Sequence, residues 1–318
     1  MLRKWLCQAD VKITLEPVDP VLIKSGYATI DGEDMVPVST FKDGKRVYYF
    51  PGSSLKGALR SHLERIARTL HPGRVCVPYH DDKKKGSIPI PVPSEAHAYG
   101  CGYVASGDTT SLIYANSCAV CRMFGSLKFG GRFSIGDAYP SENPTLESRN
   151  GVGINRFTGG TVPGVLFDLQ VLVGGKFEAE LRLTNFELWQ LAALNLLLVD
   201  MEDAIITIGS GRSRGLGRVR ITVPSYVLTY VNAVGQLEGL HQLVTPEEQS
   251  AYQLHDWSPP NPIDLPTPQG RGLRQQYDLS GDWSNQLQTL IPAFENFLAC
   301  SNYAPRNSEN VIEQEGAS

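Results

Sequence analysis

Alternating and helical apolar patterns follow one another along this chain in the order strand, helix, strands, helix, strand. Val11 to Glu16 alternates apolar and polar residues, as a half-buried strand does. Apolar residues then recur at three- and four-residue steps from Leu55 to Leu70, which predicts an amphipathic helix with one buried face. Serine side chains often accept hydrogen bonds at helix N-termini, so we expect Ser53 or Ser54 to cap this helix.

The second half of the pattern contains two alternating segments, Val165 to Val173 and Phe177 to Leu183. The pair Gly174-Gly175 lies between them, and adjacent glycines between two strands are typical of a hairpin turn. We therefore predict that these two segments pair with each other as a hairpin.

Thr184 and Glu187 have the spacing of a capping box, and the residues that follow are apolar on most faces. This predicts a buried helix that extends to about Asp200. Arg218 to Val223 then completes the series as the final strand. The order of elements predicts the α+β class, as a modified ferredoxin-like or RRM-type fold.

Two long polar segments, about residues 71–130 and 141–163, interrupt this fold as insertions. We expect residues 1–232 to form the RRM-like domain and residues 233–318 to form an acidic C-terminal extension. The extension contains a proline-rich linker and an amphipathic helix from Trp283 to Cys300, in which Pro292 predicts a kink. The sequence leaves open whether this helix packs on its own domain or on a partner.

The net charge of −4 is unevenly distributed. Residues 233–318 carry 11 acidic and 3 basic side chains, whereas residues 42–74 carry 8 basic and 2 acidic ones. Such a basic segment permits nucleic-acid binding.

No apolar run approaches the roughly 20 residues of a membrane span, and few, scattered cysteines favour a reducing compartment. We expect a cytoplasmic protein with no membrane partner.

Cysteine and histidine residues form two short clips within the first insertion. Soft sulfur and imidazole ligands in two local pairs, here CxxC and HxxxC, are typical of a structural zinc site. The candidate ligands are His97, Cys101, Cys118 and Cys121, with Cys76 or His80 as substitutes for the fourth ligand. Ordinary buried thiols and, less favoured, a redox CxxC are the alternatives.

Gly209 to Gly217 is rich in glycine and arginine and lies between two strand segments. Glycine lets backbone N–H groups approach a phosphate closely, and arginine pairs with phosphate bidentately. The loop lacks the endings of a Walker or Rossmann motif, so an ordinary tight turn is an equal alternative. The histidines outside the insertion have no neighbouring nucleophile and acid, which gives a hydrolytic triad no support.

Four ordered motifs resemble segments of one family. Phe50 to Arg60 (FPGSSLKGALR) is similar to the PGSSLKGxxR segment of the RAMP superfamily, the backbone proteins of type III CRISPR–Cas effector complexes. Cys118 to Ala138 (CAVCRMFGSLKFGGRFSIGDA) and Val152 to Asp168 (VGINRFTGGTVPGVLFD) resemble two further segments, and Gly209 to Arg218 resembles the family's glycine-rich loop. Together they span about residues 10–225.

The resemblance implies a modified RRM fold that binds CRISPR RNA along its backbone and stacks beside other RAMP subunits and a large subunit. It also implies a thumb-like hairpin, here residues 141–163, that kinks the duplex between the guide and a single-stranded target RNA. The RNA-binding residues implied in this way are Ser53, Lys56, Arg60, Arg132, Gly209, Gly211, Arg212 and Arg214. For Lys56 and Arg60, a solvated helix face is the plain alternative.

Active members of the family cleave target RNA with an aspartate in the loop before the PGSS segment. The resemblance implies attack of a ribose 2′-OH on the adjacent phosphate, with a divalent metal such as magnesium. The family pattern is similar to D.PV, and Asp34 to Val38 (DMVPV) has one extra residue. Asp34 is therefore the predicted catalytic residue and Asp31 the reserve, although either acid can simply stabilise a turn.

Two other functions compete with this endoribonuclease. The first is a non-catalytic structural RNA-binding subunit of the same complex, with the acidic extension as a docking arm. The second is a nuclease that processes the guide RNA, which requires a catalytic histidine near the first helix. His62 is the candidate for that role.

Overall fold

A computed structural model describes residues 3–26, 34–71, 74–76, 101 and 109–300 of the chain. The strands are β1 (Cys7–Pro17), β2 (Ser39–Lys42), β3 (Lys45–Tyr48), β4 (Gly125–Ser126), β5 (Phe129–Gly130), β6 (Phe133–Ile135), β7 (Tyr139–Glu142), β8 (Thr145–Ile154), β9 (Thr161–Val173), β10 (Lys176–Thr184), β11 (Val219–Tyr230), β12 (Gln269–Arg271) and β13 (Arg274–Asp278). The helices are α1 (Gly52–Leu70), α2 (Thr110–Ala115), α3 (Ala119–Phe124), α4 (Leu188–Glu202), α5 (Leu240–Leu243), α6 (Pro246–Tyr252), α7 (Trp283–Gln288) and α8 (Pro292–Ala299). Within these residues, no helix has the length and apolar character needed to cross a membrane.

The central sheet is antiparallel, and its middle strands lie in the order β11-β1-β10-β6. Helix α1 follows β1 in the chain, and α4 lies between β10 and β11. Numbered along the chain as a βαββαβ unit, these strands have the order 4-1-3-2, which is consistent with a ferredoxin-like fold. The predicted α+β class is confirmed.

One face of the sheet is covered by the helices. Val11, Ile13 and Leu15 alternate with polar residues along β1 and are buried, as period-two patterning requires. The buried face of α1 carries Leu55, Leu59 and Leu63, and α4 is buried on nearly every side. The apolar periodicity of the sequence therefore locates the main core.

The opposite face of the sheet carries ion pairs. Lys12 lies 3.7 Å from Glu180 across the β1–β10 pair. Arg182 donates to Asp10 at 2.7 Å. RRM domains stack bases on sheet-face aromatic residues, whereas the alternate residues of β1 and β10 on this face are polar or charged. This face therefore differs from an RRM stacking platform.

Both predicted helix caps are wrong. Helix α1 begins at Gly52 after Pro51, without a side-chain cap on its N-cap residue. The carboxylate of Asp137 instead accepts a hydrogen bond from the Gly52 N–H at 2.7 Å. Helix α4 begins at Leu188, and the side chain of Gln190 accepts from the backbone N–H of Glu187 at 3.0 Å. Serine and threonine spacing did not locate these starts.

The predicted hairpin turn at Gly174-Gly175 is also wrong. Val173 pairs with Thr145, and Lys176 pairs with Glu142, so β9 and β10 run along one partner segment. The glycines bend a long strand instead of reversing it. A Cβ at Gly175 would lie 2.8 Å from the carbonyl oxygen of Glu142, so close strand approach at this bend requires glycine.

The C-terminal segments extend the same sheet and core. Strand β13 pairs with β11, so the segment from Arg218 to Val223 is not the last strand. In place of one helix from Trp283 to Cys300 with a kink at Pro292, the segment forms two helices, and Pro292 begins the second, α8. Phe297 of α8 stacks on Trp189 of α4 with ring centroids 4.0 Å apart and an interplanar angle of 4°. The amphipathic segment therefore packs on its own chain.

Candidate nucleic-acid interface and cysteine cluster

A short segment, residues 20–25, joins the predicted glycine-rich loop to the loop that contains Asp34. The carbonyl of Leu22 accepts from the N–H of Ser210 at 2.8 Å. The next carbonyl, of Ile23, accepts from the N–H of Val38 at 2.9 Å. Backbone hydrogen bonds therefore bring two motifs that are far apart in sequence to one region.

The glycine-rich loop is an ordered turn that exposes two arginine side chains. Gly209 and Gly211 precede a 3₁₀ turn, Arg212–Arg214, whose two cationic side chains are exposed. Leu216 anchors the loop in a small apolar cluster with Leu22, Leu169 and Val171. The loop is thus fixed at its base and charged at its surface.

The long β8–β9 hairpin projects from the body of the protein beyond Phe167 and Asp168, midway along β9, and this base of the projecting part lies against both motifs. The guanidinium of Arg214 lies over the ring of Phe167, 5.5 Å from its centroid. The carboxylate of Asp34 accepts a hydrogen bond from the N–H of Asp168, the next residue, at 3.3 Å. A predicted RNA-binding residue and the predicted catalytic residue therefore contact adjacent positions of one strand.

Asp168, whose backbone N–H donates to Asp34, carries a second carboxylate. Its Oδ1 is buried, and no described group donates a hydrogen bond to it. Asp34 itself is exposed. Magnesium prefers oxygen ligands and often uses one or two carboxylates together with substrate phosphates, so the donor types fit a divalent cation. The reserve residue Asp31 lies outside the described residues.

The tip of the hairpin is apolar and exposed. Phe157 is fully exposed, and Ile154 and Leu166 are exposed by about 60%. The turn is closed by backbone hydrogen bonds between Asn155 and Gly160 and between Gly159 and Asn155, both 2.8 Å. The predicted thumb segment, residues 141–163, therefore coincides with β8 and the turn of a projecting hairpin.

The predicted residues on α1 differ in their surroundings. Ser53 is exposed in the first turn. Lys56 is half-buried and donates to the carbonyl of Phe133 at 3.1 Å. Burial, with repulsion from Arg60, lowers the pKa of Lys56 below its ordinary value. Lys56 thus keeps access to the surface but is not a freely solvated cation.

Two predicted RNA-binding arginines are engaged inside the protein. Arg132 is 6% exposed, donates to the carbonyl of Asn185 and lies 4.3 Å above the ring centroid of Tyr114. Arg60 donates to Glu64 at 3.0 Å and to the carbonyl of Gly125 at 3.1 Å. We therefore leave Arg132 and Arg60 out of the interface with RNA.

A second cationic and aromatic surface lies on the β2–β3 hairpin. Lys42 lies over the ring of Tyr139 at 4.6 Å, and Tyr49 stacks on the same ring at 5.5 Å. Arg46 lies over Phe41 at 5.9 Å, and Phe41 is largely exposed. The basic run is visible in the sequence, whereas tertiary contacts alone bring Tyr139 and Tyr49 to it.

The cysteine cluster consists of four buried residues whose sulfur atoms all lie within 4.8 Å of one another: Cys76, Cys101, Cys118 and Cys121. The Cys76 sulfur is 3.5 Å from that of Cys121 and 3.6 Å from that of Cys118. Tetrahedral zinc with Zn–S bonds of about 2.3 Å places its ligand sulfurs about 3.8 Å apart. The donor set and its spacing therefore fit a structural zinc ion.

Cys76 is the fourth member of the cluster, a position for which the sequence pattern favours His97. His97 and His80 lie outside the described residues. Sulfur contacts with Cys101, Cys121 and Cys76 hold the pKa of Cys118 well below its ordinary value, despite burial. Cys118 is also the N-cap of α3 and accepts from the N–H of Cys121 at 3.4 Å. A sulfur that loses its proton readily suits metal ligation.

His62, the candidate for guide processing, lies between two helices. It is 8% exposed and contacts Asp200 of α4 at 2.7 Å and Arg65 at 3.0 Å. The buried contact with Asp200 joins α1 to α4, which is a structural use of the residue. This geometry gives the processing function no support.

The family model for the RAMP superfamily matches residues 14–220. The match runs from within β1 to within β11 and includes all four sequence motifs. No curated protein matches the chain.

Proposed function

This chain belongs to the RAMP superfamily, a family associated with CRISPR RNA-binding proteins, and we propose that it is a guide-RNA-binding backbone subunit of a type III CRISPR–Cas effector complex. We propose further that it cleaves target RNA paired with that guide. Its partners are the CRISPR RNA, the single-stranded target RNA, neighbouring RAMP subunits and the large subunit of the complex.

One observation carries this proposal: Asp34 and Arg214 meet at adjacent residues of the hairpin base. An arginine that holds a phosphate and an acid that serves the reaction must lie near the same nucleotide. Backbone contacts from Leu22 and Ile23 fix both loops to each other. The projecting hairpin begins at this point, where a kinked nucleotide would expose its phosphate.

Binding in this proposal depends on phosphate contacts. Arg212 and Arg214 are exposed, and Lys56 and Ser53 lie on α1. Guide sequences vary, so a backbone subunit needs contacts to phosphate and sugar, which are independent of sequence. Such contacts release counterions, and we expect affinity for RNA to fall steeply with added salt.

The reaction is an attack of a ribose 2′-oxygen on the adjacent phosphorus. The 2′-hydroxyl loses its proton as the 2′-O–P bond forms, and O5′ takes up a proton as the P–O5′ bond breaks. The products are a cyclic 2′,3′-phosphate and a 5′-hydroxyl end. A divalent cation at the site would offset the charge that develops on the phosphate oxygens. Asp34, with Asp168 beside it, would hold that cation, and Arg214 would orient the phosphate.

The alternative is a structural subunit that binds RNA without cleaving it. The hydrogen bond between Asp34 and Asp168 also serves this function, because it anchors the loop to the hairpin whether or not chemistry follows. The two functions share the RNA-binding surface and differ only at the carboxylate.

Asp34→Asn in the reconstituted complex separates them. Asparagine keeps an acceptor for the Asp168 N–H but removes the charge. We expect target cleavage to fall by at least about a hundredfold, while bound guide RNA stays at the wild-type level. Asp43→Asn, an exposed acid in the β2–β3 turn, is the matched control. Unchanged cleavage in Asp34→Asn would leave the structural subunit as the function.

A further inference from the structure

Helix α1 turns a row of three charged residues toward the cysteine cluster. Arg60, Glu64 and Arg68 are spaced one turn apart. Glu64 is 8% exposed and accepts from Arg60 at 3.0 Å and from Arg68 at 3.2 Å. A buried carboxylate between two guanidinium groups forms a fixed unit, since each partner is held by charge-assisted hydrogen bonds.

Each arginine of this unit also contacts a cysteine of the cluster. Arg60 Nη2 lies 3.3 Å from the Cys121 sulfur. Arg68 Nη2 donates to the backbone carbonyl of Cys76 at 3.0 Å. The unit therefore reaches two of the three segments that supply ligands, Cys121 through its sulfur and Cys76 through its backbone carbonyl.

The negative charge of a metal-loaded cluster explains why a positively charged side chain beside it is stabilising. Four thiolates around a divalent cation sum to −2, and a buried net charge is costly unless it is compensated. The guanidinium of arginine is not deprotonated in proteins, and that of Arg60 pairs with the Glu64 carboxylate at 3.0 Å. The guanidinium is thus a permanent positive charge beside the sulfurs.

We propose that Arg60 is a positioning residue of the metal centre. Arg60 donates to the Cys121 thiolate, and Glu64 links Arg60 to Arg68, which donates to the backbone of Cys76. Arg60 stabilises the four-sulfur site electrostatically and holds the ligands in place. Contacts of this kind beyond the ligands commonly change metal affinity by 10- to 100-fold. The inference concerns a different region from the RNA-cleaving site and does not depend on it.

The test uses the full chain loaded with zinc and titrated with a chromophoric chelator. We expect Arg60→Gln to lower zinc affinity about 10- to 100-fold. Arg60→Lys keeps the positive charge but loses the planar guanidinium group, and its zinc affinity should lie between those of wild type and Arg60→Gln. Arg65→Gln, on the same helix but paired with His62, is the matched control and should match wild type.

Cobalt loading supplies a second readout. The thiolate-to-cobalt charge-transfer band reports the donor strength of the sulfurs, and we expect it to shift in Arg60→Gln and not in Arg65→Gln. RNA binding by zinc-loaded Arg60→Gln should stay at the wild-type level.

Wild-type zinc affinity and an unchanged cobalt band in Arg60→Gln would overturn the proposal. Loss of RNA binding with unchanged metal affinity would also overturn it and return Arg60 to the RNA interface. If Arg60→Gln does not fold, Arg60→Lys decides: a wild-type affinity contradicts the proposal and a weakened one supports it.

Discussion

The backbone N–H of Asp168 donates a hydrogen bond to the carboxylate of Asp34, across 134 residues of sequence. A second link holds the same pair of segments, since the N–H of Met35 donates to the carbonyl of Asp168 at 3.2 Å. The long hairpin therefore fixes the position of the acid at its own base. Any movement of the hairpin should therefore change the position of the Asp34 carboxylate.

Asp168→Asn should raise the divalent-cation concentration that target cleavage needs by about tenfold. The substitution preserves size and the backbone donor to Asp34 but removes one of two neighbouring carboxylates. Cleavage is measured against magnesium concentration in the assembled complex, with guide RNA content as the control. A cation requirement equal to that of wild type would exclude Asp168 from the cation site.

Gly217→Ala should destabilise the glycine-rich loop more than Gly215→Ala. Both residues have positive φ, which costs alanine about 1–2 kcal/mol. A Cβ at Gly217 would also collide with the carbonyl oxygen of Ile208, whereas nothing lies within 4 Å of one at Gly215. Overpacking of this kind adds about 1–3 kcal/mol. Urea unfolding of both variants measures the difference, and equal losses would contradict it.

Phe157→Ala should leave guide binding intact and weaken the distortion of the guide–target duplex. Stacking of a base on an aromatic ring contributes about 1–3 kcal/mol, so the kinked form should lose about tenfold in population. Fluorescence of 2-aminopurine in the target reports base unstacking. Leu273→Ala removes another largely exposed apolar side chain elsewhere and is the control. Identical fluorescence in the two variants would contradict the insertion of Phe157 between bases of the duplex.

Cys76→Ala should lose zinc, whereas His97→Ala should retain about one equivalent. The structure brings the sulfur of Cys76 into the cluster, and four sulfurs complete a tetrahedral site. Metal analysis of the purified chain measures the content, and Cys300→Ser, outside the cluster, controls for a general effect of thiol removal. Zinc lost from His97→Ala and kept in Cys76→Ala would reverse the assignment.

Phe297→Ala should lower the free energy of unfolding by about 3–5 kcal/mol. The ring is 4% exposed and stacks on the fully buried Trp189. Asn296→Ala, the exposed neighbour on α8, should stay within about 0.5 kcal/mol of wild type. Denaturant unfolding checks both. A small loss in Phe297→Ala would mean that α8 is dispensable to the core.

Much of the fold could be predicted because its signals are local. The alternation in β1 and the leucine spacing in α1 follow from period-two and period-3.6 patterning, which any short window of sequence contains. The family motifs are likewise continuous segments. The order strand, helix, strands, helix, strand follows from these pieces taken in sequence.

Strand partners and caps could not be predicted in the same way. Gly174-Gly175 satisfies the composition of a hairpin turn, but the register of β9 and β10 against one long partner makes it a bend. Asp137 caps α1 from a position 85 residues away. Such contacts depend on how distant segments meet, which no local window contains.

Arg60 and Arg214 show the same difference between local signals and tertiary contacts. Sequence alone determined that Arg60 and Arg214 each lie in a motif suited to phosphate, and that soft sulfur donors are concentrated in one insertion. Only the tertiary structure decided that Arg214 faces outward at the hairpin base while Arg60 faces the sulfur of Cys121, and that Cys76 joins the cluster. The chemistry of a side chain is fixed by its residue type, but its partner is fixed by packing between segments far apart in the chain.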